Sequence, residues 1–135
     1  MSVRTTTITA AAATVVTAAL LVPPPAPAAA VAPEQRGRLL LTLSGTEHTW
    51  IRGVRLVCPA SGGRQHPHAA EACAGLAAAG GRPDALPRTE RLCPAEEEPV
   101  EASAEGDWGG APVRWKRTFR GACALDAATG AVFRF

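Results

Sequence analysis

From Gln35 onward the chain settles into alternating apolar and polar positions. Leu39, Leu41 and Leu43 recur at every second place within Arg38–Leu43, which predicts a strand with those three leucines on one face. Ser44-Gly45 ends it. Val54, Leu56 and Cys58 repeat the pattern in Gly53–Cys58, and the polar segment Gly45–Thr49 would close the two into a hairpin. After the loop Ser61-Gly62-Gly63 the period changes. Ala69, Ala72, Cys73 and Leu76 fall at i, i+3, i+4 and i+7, one face of a helix that Pro67 opens and Gly80-Gly81 stops. Arg82–Leu92 is rich in proline and charge and has no period, so it is expected to be a surface connection. Pro99–Ala104 alternates weakly as a third strand. Glu105-Gly106-Asp107 through Gly109-Gly110 reads as a turn. Pro112–Arg120 is the clearest strand, with Val113, Trp115 and Phe119 on one face. Cys123–Thr129 predicts a short helix closed by Gly130, and Ala131–Phe135 a fifth strand facing Ala131, Phe133 and Phe135 inward. No internal repeat is visible. The sum is an α+β fold of five strands, with two helices packed on one face of the sheet.

The N-terminal part has a different character. Arg4 is followed by the uncharged run Ile8–Val22 and then by small residues at Ala26-Pro27-Ala28 and Ala28-Ala29-Ala30. This is the order of a secretory signal, and cleavage is expected near Ala28 or Ala30. The run is shorter than the ~20 residues a membrane span needs, which disfavours a retained anchor. The expected organisation is therefore a signal peptide over 1–30, an extension over 31–37, and one domain over 38–135 in a secreted, extracellular protein. The chain has four cysteines, Cys58, Cys73, Cys93 and Cys123, all within that domain. An even number in an exported chain argues for two disulfides, with three pairings open in principle. A bridge from Cys58, inward at a strand end, to Cys73, inward on the helix, would clamp helix to sheet and is the simplest choice. It leaves Cys93 with Cys123. Zinc is the rival use of these cysteines, but no short Cys/His pair is present, so no metal and no cofactor are expected.

Charge excludes further classes. The chain carries 14 basic and 12 acidic residues and no basic cluster, so nothing favours nucleic acid as a partner. No nucleophile motif of a hydrolase is present, and cysteines committed to bridges leave no thiolate, so the chain is not expected to be an enzyme. Glu96, Glu97 and Glu98 could form an acid–base cluster but read more simply as a solvated acidic face. His66 and His68 could ligate a metal but are better explained by the loop and helix start around Pro67. Trp108 is read as packing rather than as a binding anchor, and Arg117 either as partly buried and paired or as exposed by the twist of its strand. The segment Arg91-Leu92-Cys93-Pro94-Ala95-Glu96-Glu97-Glu98-Pro99 is more informative. It is polar, rooted at a cysteine and stiffened by Pro94 and Pro99, each of which pushes the preceding residue toward extended backbone. An extended, tethered, exposed segment is what a protease cleft pairs with in β fashion.

The order and spacing of the four cysteines closely resemble the Streptomyces subtilisin inhibitor family. So do Leu39–Leu43, the Ala-rich helix around Cys73, Cys93-Pro94 followed by Pro99-Val100, and Glu105-Gly106-Asp107-Trp108-Gly109-Gly110. Lys116-Arg117-Thr118-Phe119 and the ending Ala131-Val132-Phe133-Arg134-Phe135 also fit. The resemblance covers about Arg38 to Phe135. It implies the 58–73 and 93–123 pairing, a five-stranded antiparallel sheet and a homodimer. It also implies a reactive bond at Ala95–Glu96, with Cys93, Pro94, Glu97, Glu98 and Pro99 completing a protease-binding loop. The function implied is substrate-like inhibition of extracellular subtilisin-type serine proteases. Ala95 departs from the Met, Lys or Arg common in the family at that position, which suits shallow or elastase-like pockets and argues against trypsin. With the three glutamates after it, it also motivates an alternative, a non-inhibitory secreted binding module on the same scaffold.

Overall fold

The computed structural model describes residues 24–27, 35–61 and 65–135. Both expected cleavage positions of the leader and most of the 31–37 extension lie outside the described residues. Among the described residues the chain forms strand β1 (Gly37–Gly45), strand β2 (Ile51–Cys58), helix α1 (Ala69–Ala78), strand β3 (Val100–Trp108), strand β4 (Ala111–Phe119) and helix α2 (Ala122–Thr129). Short 3-10 turns fall at Thr46–His48, Pro83–Ala85 and Gly130–Phe133.

The strands make one antiparallel sheet in the order β2-β1-β3-β4. Its inner face follows the period-two pattern. Leu39, Leu41 and Leu43 meet Leu56 and Cys58 of β2 on one side and Ala102 and Ala104 of β3 on the other, all buried. Small alanines in central β3 leave room for the helices, which fill it with Ala72, Leu76 and Leu125. The opposite face is solvated. The Cys58–Cys73 disulfide joins the end of β2 to α1, with an S–S distance of 2.02 Å. It closes a short loop and contributes about 3 kcal/mol in the chain-entropy picture.

Two expectations are corrected. The sheet has four strands, not five. Ala131–Phe135 does not extend it; after Gly130 the chain tightens into a 3-10 turn that buries both Val132 and Phe133. A strand would send neighbouring side chains to opposite faces, whereas this turn drives both into the core. It is held there from two sides. The Phe133 ring lies 5.5 Å from that of Trp115. The Val132 carbonyl accepts a hydrogen bond of 2.9 Å from Nε2 of buried His66. His66 Nδ1 in turn accepts from the backbone N–H of His68 at 3.1 Å, so both ring nitrogens are used in fixing the start of α1 to the C-terminal turn.

The second correction concerns Glu105-Gly106-Asp107, which continue β3 rather than turning. They pair with Arg114, Val113 and Pro112 of β4 and with Leu40, Leu39 and Arg38 of β1. A strand with a full-length neighbour on each side overrides the local turn preference of Gly and Asp. The reversal is left to Gly109-Gly110 alone, at φ 57° and 82°, the left-handed conformations that a two-residue hairpin turn requires. Trp108, just before it, is buried, as expected for packing. Its indole lies so close over Gly37 and Gly81 that a Cβ on either would overlap it. Arg117 is exposed rather than partly buried, but it is paired. It lies 3.4 Å from Asp84 and stacks over the Phe119 ring at 5.4 Å, tying the Pro83–Ala85 turn to β4.

Trp108 thus joins the hairpin end, the start of β1 and the exit of α1 in one contact. Trp108→Ala is expected to cost about 3–5 kcal/mol, read from urea unfolding. Gly81→Ala, which drives a methyl into the indole at positive φ, should destabilise in the same direction. A loss below 1 kcal/mol for both would show that the indole only covers the core edge.

Candidate functional site

The connection from Leu86 to Pro99 has no regular structure. Leu86 is buried and ends the link to the core, after which the chain rises to the surface. What keeps this segment in one shape is a series of contacts with α2. The Thr89 N–H donates to the Ala127 carbonyl at 2.8 Å. Arg91 Nη1 meets Asp126 Oδ2 at 2.7 Å. Cys93 is bridged to Cys123, with an S–S distance of 2.00 Å and Cα atoms 5.6 Å apart. Glu97 packs against Gly121, the residue that caps the helix. The partners descend the helix as the loop ascends in sequence, so the loop runs antiparallel along α2 and is fastened at 89, 91, 93 and 97.

The unequal strength of these fastenings matters. The disulfide closes a 30-residue separation and contributes roughly 3.5–4 kcal/mol by restricting the unfolded chain. The Arg91–Asp126 pair is partly exposed and worth at most about 1 kcal/mol alone. Asp126 is itself held, because Arg134 donates to its Oδ1 from Nε at 3.0 Å and from Nη2 at 2.7 Å. The C-terminal turn therefore orients the carboxylate that orients the loop.

Between the fastenings at 93 and 97 lie Pro94, Ala95 and Glu96, all exposed, with the chain bending at Ala95-Glu96. Pro94 holds its own φ and restricts Cys93, so the exposed stretch is stiff as well as tethered. The sequence-predicted residues are thus brought together on one protruding edge. Cys93 is half-buried at the bridge, Pro94, Ala95, Glu96, Glu98 and Pro99 are exposed, and only Glu97 turns back toward the scaffold. The three glutamates do not form an acid–base cluster, since Glu97 leaves the face that Glu96 and Glu98 present.

Sequence reasoning gave no role to four residues that this geometry brings forward. Thr89, Arg91 and Gly121 act through partners distant in sequence, and nothing local could reveal them. Leu92 was detectable, as an apolar side chain isolated in a polar segment. It is 103% exposed, fully offered to solvent beside the bridge.

A groove of about 570 Å³ lies between the β1–β2 hairpin and the C-terminal turn. Trp50, Ile51, Phe133 and Phe135 line it together with Asp126 and Arg134, which pair with each other; no serine, histidine or cysteine faces it. Among the described residues no group of three or more His, Cys, Asp or Glu is placed to hold a metal ion.

A folded scaffold that holds one exposed loop, tethered on both sides, is built to enter another protein's cleft. It is a loop-presenting binding protein rather than one that receives a substrate. Comparison with known proteins is consistent with this class and narrows it. The model of the subtilisin inhibitor-like family matches residues 35–121, and the chain belongs to that family, whose members are inhibitors and not enzymes. Subtilisin inhibitor-like protein 1 of Streptomyces cacaoi is 42% identical over 88 residues, 62% of this chain and 79% of that protein. The subtilisin inhibitor of Streptomyces albogriseolus is 38% identical over 94 residues, 69% of this chain and 65% of that one. The matched stretches range from 47% to 82% of the relatives' own lengths. Among solved structures, Streptomyces caespitosus sermetstatin in complex with Bacillus licheniformis subtilisin superposes with a TM-score of 0.58 at 28% identity. That match covers 74% of this chain and 99% of sermetstatin.

Replacing Cys93 and Cys123 together by serine is expected to lower stability by about 3–4 kcal/mol. It should also turn Pro94–Glu96 into a readily cut segment while the Cys58–Cys73 bridge stays intact. Limited proteolysis followed by mass spectrometry reads this directly. Undiminished resistance at 94–96 would show that the weaker fastenings to α2 suffice.

Proposed function

We propose that this chain is a secreted, substrate-like inhibitor of subtilisin-type serine proteases and that Ala95–Glu96 is its reactive bond. The observation that carries the reading is the exposed Pro94–Glu96 stretch, stiff in itself and fastened to α2 on both sides. A loop already ordered loses little entropy on entering a cleft, so its contacts appear almost undiminished as affinity. Family membership and the complex formed by sermetstatin support the same partner class.

The chemistry follows from the tether. The protease serine attacks the Ala95 carbonyl carbon, and the oxyanion sits in the enzyme's donor pair. The enzyme's histidine takes the serine proton and passes it to the Glu96 nitrogen as the peptide bond breaks. The acyl-enzyme then holds Ala95, two residues from the disulfide, while the new amine at Glu96 is held by the residue that follows it. Water that would hydrolyse the ester and expel the serine oxygen must compete with an amine that has not diffused away. The reverse attack of Glu96 nitrogen on the ester expels the serine oxygen, returns its proton and restores the loop.

Side chains set the target. Ala95 fills a small or shallow pocket and offers no cation to a trypsin-type one. Leu92, fully exposed three residues before Ala95, supplies an apolar contact on the same side. Glu96 and Glu98 face outward and select against an enzyme with an acidic rim. Secretion is supported by the uncharged run Ile8–Val22, by the small residues after it, and by two disulfides that belong to an oxidising compartment.

A homodimer is also part of the proposal. The outer face of the sheet is open and carries Leu40, 47% exposed, and Val57, 40% exposed. Around them Arg38 stands opposite Asp107, and Arg114 opposite Glu105, which gives a face with both signs of charge and an apolar centre. Such a face can meet a second copy of itself through a twofold axis. Sedimentation equilibrium should return twice the chain mass; a monomer at tens of micromolar would remove the dimer from the proposal.

Titration against subtilisin and elastase is expected to abolish their activity stoichiometrically while trypsin stays active. Ala95→Lys should improve trypsin inhibition by at least ~100-fold, because it provides the cation that pocket pairs with. Rapid digestion of the wild-type protein without inhibition would overturn the function. An unchanged trypsin constant for Ala95→Lys would overturn the placement of the bond.

A further inference from the structure

Once Ala95–Glu96 is cut, the two new ends are held very unequally. The Ala95 side keeps the disulfide, the Arg91–Asp126 pair and the Thr89–Ala127 hydrogen bond. The Glu96 side keeps only what lies between it and Val100, where β3 begins. In that interval Pro99 and Glu98 are exposed, and the one residue turned to the scaffold is Glu97.

Its seat is specific. Gly121 is buried and its missing side chain is what makes room for Glu97. A Cβ built there would stand 2.6 Å from Glu97 Cδ and closer still to Oε2 and Cβ. No other neighbour comes as near. The backbone at Gly121 is extended, at φ 171° and ψ 172°, so the position does not need glycine for conformational reasons. The notch exists for contact alone. Glu97 Oε2 is enclosed there without a hydrogen-bond partner among the described residues, beside the N-terminal end of α2, whose partial positive charge offsets part of the cost of enclosing a carboxylate oxygen.

We infer that Glu97, seated in the Gly121 notch, is a positioning residue that holds the amine end of the cleaved loop against α2 for religation, rather than a side chain offered to the protease. This rests on Ala95–Glu96 being the reactive bond. It gives the second residue after the bond a role opposite to that of its neighbours: Glu96 and Glu98 face the enzyme and tune selectivity, while Glu97 faces inward and sets how long the inhibitor survives. It also explains how one bridge, on one side of the bond, can serve both ends. Cys123 and Gly121 lie two residues apart on the same element, so α2 holds both halves of the loop in one frame.

The test compares Glu97→Ala, Gly121→Ala, the double variant and Glu97→Gln on the full chain with subtilisin. Two constants are read for each: the inhibition constant, and the rate at which intact inhibitor is converted to the form cut after Ala95, followed by mass spectrometry. Glu97→Ala and Gly121→Ala are each expected to speed net cleavage roughly tenfold, the cost of freeing about one residue's backbone. The double variant should be no worse than either single one, because both remove the same contact. Glu97→Gln keeps the shape and should recover most of what Glu97→Ala loses. Thermal midpoints separate a folding defect from loss of the notch, and Glu97→Ala introduces no clash that could unfold the chain. Cleavage rates equal to wild type in both single variants, or additive effects in the double, would overturn the role of Glu97. Failure of the wild type to inhibit, or cleavage at another bond, would instead overturn the reading on which it rests.

Discussion

The cross-link between Cys93 and Cys123 is the constraint on which the rest of the molecule's arrangement turns. It is the one covalent contact between the irregular segment and the folded body, and it fixes which helix that segment lies beside. Once Cys93 is placed on α2, Thr89 and Arg91 come within reach of Ala127 and Asp126, and Glu97 within reach of Gly121. None of these weaker contacts could order a loop of this length alone, since each offers about 1 kcal/mol or less against a comparable ordering cost per residue. Set in place by the bridge, they need only remove the freedom that remains.

α2 can serve as the frame because the core holds it from behind. Leu125 packs inward beneath it, and the C-terminal turn, with Val132 and Phe133 buried, wedges between helices and sheet. Arg134, just past that turn, returns to Asp126 on the helix, so the end of the chain takes part in orienting the loop. The path from sheet to site therefore runs through the part of the chain that leaves the sheet. A fifth strand over 131–135 would have taken these residues to an edge and left α2 less supported.

Stiffness in this design is local and has a purpose. The scaffold is dense and braced twice by sulfur, while Pro94, Ala95 and Glu96 are left without side-chain support. On the proposed reading, a reactive bond must be open to an enzyme and yet unable to drift once broken. Supporting the residues on either side, and not the bond itself, meets both demands. Selectivity is then free to vary in the unsupported positions without disturbing the fold.

Period-two apolar positions placed four strands and their inner face. The i, i+3, i+4, i+7 pattern placed α1, and the cysteines with their proline-bracketed neighbours marked the loop. These were legible because each depends on the chain's own local geometry, or on a covalent bond with few possible partners. What sequence could not decide were contacts between distant residues that carry no local signature. The alternation at Ala131–Phe135 reads as a strand until His66 and Trp115 are seen to draw the chain inward. Glu105–Asp107 reads as a turn until β1 and β4 pair with it from both sides. Gly121 carries no signal of its own until Glu97 is found in the space its missing side chain leaves. Local preferences of this size, a fraction of a kcal/mol to about 1 per residue, are outweighed by burial and pairing that only the assembled fold supplies.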